Sequence, residues 1–144
     1  EVRSYLQSKK KKLFSYEIFE NLDLSKGNYE ELEFQFSSFV GCNFTQSSWN
    51  KSHLLFSNLQ NTMLKNTKME KMKIFDTDFS GATLEQVDFA GAKIKHVSFA
   101  GAKLIQVDFS KVLLAEEINF QDAQIVDCKF PEEVGSGLLY HENR

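Results

Sequence analysis

Large apolar residues recur every five positions along almost the whole chain. The pattern is plainest over residues 77–110, where the centres Phe79, Leu84, Phe89, Ile94, Phe99, Leu104 and Phe109 each follow, by two places, a small or β-branched residue: Thr77, Ala82, Val87, Ala92, Val97, Ala102 and Val107. The frame runs back to Phe14 and forward to Leu114, giving 21 consecutive apolar centres, and resumes after one extra residue at Phe120, Ile125 and Phe130. It collects eleven of the fourteen phenylalanines, so the frame defines the core. A period of five suits neither standard element: it carries a helical side chain about 140° round the axis at each step, and an odd spacing alternates the faces of a strand. Each unit must therefore contain its own corner, with the centre and the residue two before it pointing inward. One unit cannot bury its apolar pair alone, so the units have to coil and stack.

A second spacing, of 20, fixes the number of units per coil. Tyr29, Trp49, Met69, Phe89 and Phe109 form one column, and Asn21, Gly41, Asn61, Gly81 and Gly101 another. Gly and Asn suit a corner that needs positive φ. The stretch T-D-F-S-G, A-T-L-E-Q, V-D-F-A-G, A-K-I-K-H, V-S-F-A-G resembles the pentapeptide-repeat family, whose loose motif is a small residue, Asp or Asn, Leu or Phe, then two variable positions. The resemblance implies an all-β fold, a right-handed four-sided parallel β-helix (solenoid). The 24 centres then predict about six coils over residues 14–130. At ~4.8 Å per coil this makes a single rod roughly 29 Å long. Residues 1–13 are expected to be an irregular or helical cap or linker, and 131–144 a cap or flexible tail.

Departures from the frame carry further expectations. Residues 1–12 hold Arg3 and Lys9 to Lys12 against Glu1 alone, a local charge of +4, read as a solvated cap on an open solenoid end rather than a nucleic-acid or membrane segment. Lys12, Glu17, Leu22 and Leu32 occupy the small position and make the first coil irregular. From Ser37 to Thr67 the small positions carry hydroxyls (Cys42 excepted), which should bond the backbone of adjacent coils. Met72 at such a position predicts a local bulge or an outward side chain, and the extra residue predicts a bulge at Glu116 or Glu117. The chain begins at Glu1 rather than Met, as expected of a piece of a longer protein, and no signal peptide is visible in it.

Little in the chain suggests catalysis. Cys42 and Cys128 fall four coils apart, roughly 19 Å, against the ~7 Å that a disulfide allows. His53, His96 and His141 lie in different coils or in the tail, with no metal-ligand spacing. Asp88 and Asp108 stack one coil apart, but Lys68 and Lys129 share their column, which reads as a solvated ladder rather than an acid–base pair. A filled solenoid also offers no concave pocket. A non-enzyme is therefore expected, without cofactor, metal site or small-molecule substrate.

The informative residues are those that break the frame. Phe36, Phe56 and Phe75 are the only off-frame phenylalanines, and with Leu55 they belong to the side carrying centres 34, 54, 74 and 94, edged by His53, Lys73, Lys93 and Lys95. Exposed apolar patches mark contact surfaces. This candidate patch should be covered by a protein partner, a second copy, or the N-terminal segment folded back. The expected function is a non-enzymatic protein–protein interaction module; the resemblance implies use alone or within a larger bacterial effector-type protein, cytoplasmic or secreted. The alternative it offers is a Qnr-like protein that imitates DNA and protects topoisomerases. Residues 69–130 hold ten acids and seven bases, too mixed a charge to replace phosphate, and the net charge of −3 also argues against a nucleic-acid partner. No stretch reads as a transmembrane segment.

Overall fold

The computed structural model, which describes residues 1–131, is a parallel β-helix of about six coils. A short helix, α1 (Val2–Gln7), precedes ten strands: β1 (Leu13–Ser15), β2 (Glu33–Gln35), β3 (His53–Leu55), β4 (Met63–Lys65), β5 (Lys73–Asp78), β6 (Thr83–Asp88), β7 (Lys93–Ser98), β8 (Lys103–Asp108), β9 (Leu114–Asn119) and β10 (Gln124–Val126). They form two parallel sheets, ordered β1-β2-β3-β5-β7-β9 and β10-β8-β6-β4. The register steps by 20 residues, pairing Phe34 with Leu54, Leu54 with Ile74 and Ile74 with Ile94. Each long strand bends across two sides of the rod at one residue of positive φ: Asp76, Gln86, His96, Gln106 or Glu117. In the first coils the second side is held by single bridges such as Ile18 to Ser38 and Ser38 to Asn58.

The residue two before the second centre tracks this difference between the two halves, though its hydroxyl bond alone does not set it, since Thr77 donates to Phe75 O at 2.9 Å inside a strand that runs through. Where it is Val87, Val97, Val107 or Ile118 the strand runs through the bend, because a β-branched side chain favours extended backbone. Where it is Ser37 or Ser57 the strand stops, and the hydroxyl donates to the carbonyl two residues back, of Gln35 or Leu55, at 3.0 Å each. Threonine occurs in both settings, Thr67 after a short strand and Thr77 within a long one.

The centres from Phe14 to Phe109 are all buried, as the frame requires. In the C-terminal half their rings stack in columns, Phe79 on Phe99 on Phe120 at 5.2 and 5.5 Å, and Phe89 on Phe109 on Phe130 at 5.0 and 5.6 Å. In the N-terminal half Trp49 packs instead against Tyr29, Phe34, Phe39 and Phe44 at 5.0 to 5.7 Å. The buried hydroxyls find backbone partners both in their own corner and one coil away. Ser37 Oγ accepts from Glu17 N and Ser57 Oγ from Ser37 N, one coil away, whereas Ser47, Ser52 and Thr62 donate to the carbonyl three residues back in their own corner.

Two expectations are corrected, and one of the three covers offered for the candidate patch is excluded. Met72 neither bulges nor turns out; it is 1% exposed, because its column neighbours Ser52 and Ala92 are small and leave room for an unbranched, flexible side chain. The extra residue does not lie at Glu116 or Glu117. Ala115, not Leu114, pairs with Ile94, so the shift is taken up in the preceding corner, where Leu113 is pushed out to 72% exposure. The N-terminal segment does not fold back over the side carrying Phe36 and Phe56. It lies across the end of the first coil: Leu6 is buried in the core, Tyr5 packs edge-on to Phe14, Arg3 Nη2 donates to Asp23 O at 2.8 Å, and Gln7 Oε1 accepts from Asn28 N at 2.7 Å. An end with unpaired strand edges is the surface most in need of cover. Of the C-terminal tail, only Pro131 falls within the described residues.

Candidate interaction face

The stacked carboxylates serve the corners. Asp88 does lie beside Asp108, and Lys68 and Lys129 bracket the pair in the same column. Each aspartate accepts from the backbone N–H two residues on, Asp88 from Ala90 at 2.9 Å and Asp108 from Ser110 at 2.8 Å, an Asx turn that tightens the corner. Asp23, Asn28, Asn43, Asn58, Asp78 and Asn119 make the same bond. The Asp or Asn of the repeat is thus a turn residue. Partial burial pushes the Asp108 carboxyl up, but the side-chain and backbone hydrogen bonds of Ser110, with Lys129 and Lys111 nearby, outweigh it and hold the carboxyl below its usual value.

Both thiols are free and donate to carbonyls, Cys42 to Phe19 O at 3.0 Å and Cys128 to Leu104 O at 3.2 Å. Burial pushes both above the ordinary thiol value, which suits structural rather than reactive cysteines. Cys128 is only half-buried, since it lies in the last described coil. Among the described residues no three His, Cys, Asp or Glu side chains converge as metal ligands, and no helix is long and apolar enough to cross a membrane.

The outer surface of the first sheet is different in kind. Phe36 and Phe56 occupy equivalent corner positions in successive coils, 47% and 53% exposed, with parallel rings 5.0 Å apart. Tyr16, 72% exposed, continues the stack at 5.2 Å from Phe36. Leu55 and Phe75 are register partners, half-buried, between this ladder and the basic edge. The structure therefore brings together the four apolar residues expected from sequence and adds Tyr16, which stands 20 residues before Phe36 and could have been found from that spacing alone. The charged residues are less uniform than expected. His53 Nδ1 lies 3.2 Å from Glu33 Oε1, Lys95 Nζ lies 3.8 Å from Glu116 Oε2, and Lys73 Nζ lies 4.9 Å over the Phe75 ring, while Lys93 is exposed.

The ladder residues carry a conformational cost. Phe36 and Phe56 both have φ of 51° and Tyr16 has 58°, a region that bulky side chains rarely adopt. The fold demands positive φ there, since Asp76 and His96 share it in the same column, but it does not demand aromatic rings.

Comparison with known proteins bears on the fold alone. The chain is similar to a trypsin-treated variant of QnrB1, a plasmid-mediated fluoroquinolone resistance protein, with 21% identity and a TM-score of 0.78 over 83% of this chain and 60% of that one. The chain therefore spans less than two thirds of that QnrB1 chain. A pentapeptide repeat protein from the Arabidopsis thaliana thylakoid lumen is 18% identical, with a TM-score of 0.62 over 77% of this chain and 74% of its own. Rfr23 from the cyanobacterium Cyanothece 51142 is 14% identical, with a TM-score of 0.50 over 83% and 84%. No curated protein matches the chain in sequence. The family model described as a pentapeptide repeat region matches residues 43–120, and with the coil geometry above it establishes that the chain belongs to the pentapeptide-repeat family.

Proposed function

We propose that the chain is a non-enzymatic protein–protein interaction module whose contact surface is the outer side of the first sheet. The observation that carries this reading is the ladder of Tyr16, Phe36 and Phe56: three stacked rings, open to water, at positive-φ positions where Asn or Gly would fit the backbone better. Phe75, Leu55, His53, Lys73, Lys93 and Lys95 complete the face. Its rigidity supports the role, because a filled solenoid presents side chains at a fixed spacing with little ordering cost on binding.

QnrB1-like DNA mimicry gains no support beyond the fold. Lysines are interleaved with the acids over residues 69–130, and the exposed rings have no counterpart in a phosphate surface. No protection of gyrase from fluoroquinolones is expected in a supercoiling assay; protection at near-equimolar protein would reverse the ranking.

The test of the main reading is site-specific photo-crosslinking. A photoreactive residue at position 15, beside the ladder, should give discrete protein adducts that disappear in the Phe36→Asn/Phe56→Asn variant, and one at position 85 on the second sheet should give none. Adducts that are equal at both positions, or that survive the double substitution, would refute the assignment.

A further inference from the structure

Acidic and basic side chains on this side of the rod meet between coils, with Lys73, Lys93 and Asp76 left outside these contacts among the described residues. Glu33 meets His53 at 3.2 Å, Glu116 meets Lys95 at 3.8 Å, and Glu117 meets His96 at 3.0 Å. Lys73 and Lys93 face each other in register across β5 and β7, and neither makes an ion pair among the described residues. Like charges directly opposite one another destabilise a sheet, and here they lie beside the apolar pair Leu55 and Phe75. Two ammonium groups outside any ion pair among the described residues, Lys73 over the half-buried Phe75 ring and Lys93 exposed, describe the complement of an acidic ligand.

Resting on the interaction-face reading, we infer that the occupant is an extended acidic segment of a partner protein, with apolar side chains seated on the Tyr16–Phe36–Phe56 ladder and two carboxylates on Lys73 and Lys93. The spacing fits a strand laid along the rod. Lys73 and Lys93 belong to adjacent coils, ~4.8 Å apart, and alternate residues of an extended segment lie ~6.6 Å apart, within the reach of flexible lysines. Phe56, where the ladder ends, stands one coil before Lys73 along the rod and three positions away across the side, so the segment steps across the side between them: the apolar anchors come first and the acids follow after about three residues. A second copy fits less well: among the described residues on this side Glu33, Glu116 and Glu117 already contact His53, Lys95 and His96, and only Asp76 is left, one acid against two lysines. A nucleic acid fits less well again, because Glu33, Asp76, Glu116 and Glu117 are spread over the same side, and rings already stacked at 5.0 and 5.2 Å leave no gap for a base.

The test uses a fluorescent ten-residue peptide with two Phe followed, three residues on, by two Glu separated by one residue. Its controls replace both Glu by Gln, both Phe by Ala, or the peptide by a ten-nucleotide oligothymidine. In anisotropy titrations of the whole chain at low salt, the Phe/Glu peptide should bind about five- to tenfold more tightly than the Gln control, as two exposed ion pairs allow, and Lys73→Gln/Lys93→Gln should erase that difference while Lys103→Gln leaves it. Lys73→Glu/Lys93→Glu should transfer the preference to a peptide with Lys in place of Glu, a gain that no loss of folding can imitate. Equal binding of the Glu and Gln peptides, no binding of the Glu peptide at millimolar concentration, or tighter binding of the oligothymidine would overturn the acidic-partner inference. If the Gln peptide binds and Phe36→Asn/Phe56→Asn abolishes its binding, the interaction face stands without its acidic partner. If that variant leaves every peptide bound as before, the face itself falls.

Discussion

At the scale of single residues, two classes of phenylalanine separate by what surrounds them. Replacing Phe89 or Phe99 by Ala removes a ring from a closed stack that cannot collapse, and should cost about 3–5 kcal/mol in a urea titration, against no measurable change for Lys93→Ala. Phe36→Asn/Phe56→Asn should move stability by no more than about 1 kcal/mol, because relief at φ of 51° offsets the lost ring stacking. A loss as large as that of Phe89→Ala would make the ladder structural. Gly27 gives a sharper case: a Cβ there would run into Tyr29 Oη, whose hydroxyl donates to Leu24 O at 2.8 Å. Gly27→Ala must therefore displace a fully buried ring, and should cost about 2–3 kcal/mol with Tyr29→Phe partly restoring it. The buried centres were legible because five-residue spacing is a constraint on the core itself. The fate of Met72 was not, since it depends on the sizes of residues 20 positions either side rather than on its own.

At the scale of the coil element, the corner is the unit that repeats, and the Asx turn gives it a pH dependence. The Asp108 carboxyl is held below its ordinary value in the fold, so its contribution to stability is present above the unfolded value near 3.8 and is lost as pH falls through the folded one. Asp108→Asn keeps the accepting oxygen but not the titration, and should flatten the stability profile below about pH 4 while leaving the corner intact. A profile as steep as that of the parent would show that Asp108 is not a source of the acid sensitivity. The sequence showed that one residue was in excess between Phe109 and Phe120 but not where it sat, because Leu114 and Ala115 can both serve as a centre. Solvent decides the matter by taking Leu113, so deleting Leu113 should cost less than about 1 kcal/mol. Deleting Gly81, in a regular corner, would move every later side chain to the wrong face and should prevent folding.

At the scale of the whole molecule, the rod has two kinds of surface on which another protein could dock, its ends and its sides. The N-terminal end is occupied, by α1 and by lysines that close over it: Lys9 Nζ donates to Glu30 O at 2.7 Å and Lys11 Nζ lies 5.2 Å over the Phe14 ring. The basic run was legible as a cap on the open end from its charge and position, whereas the side chain that anchors it there, Leu6, gives no periodic signal in six residues of helix. With that segment committed to the end, nothing among the described residues covers the aromatic side. Covering about 300 Å² of apolar surface would contribute on the order of 7 kcal/mol before ordering costs, enough to drive association. Phe56→Asp/Phe75→Asp places two charges on that side and none on an end. It should abolish any complex or self-association that uses the side, as seen in sedimentation velocity, and leave coil-on-coil stacking at the ends unchanged. Retention of every assembly by this variant, with Phe56 and Phe75 still open to solvent in its structure, would remove the aromatic side from the molecule's function and return the question to its ends.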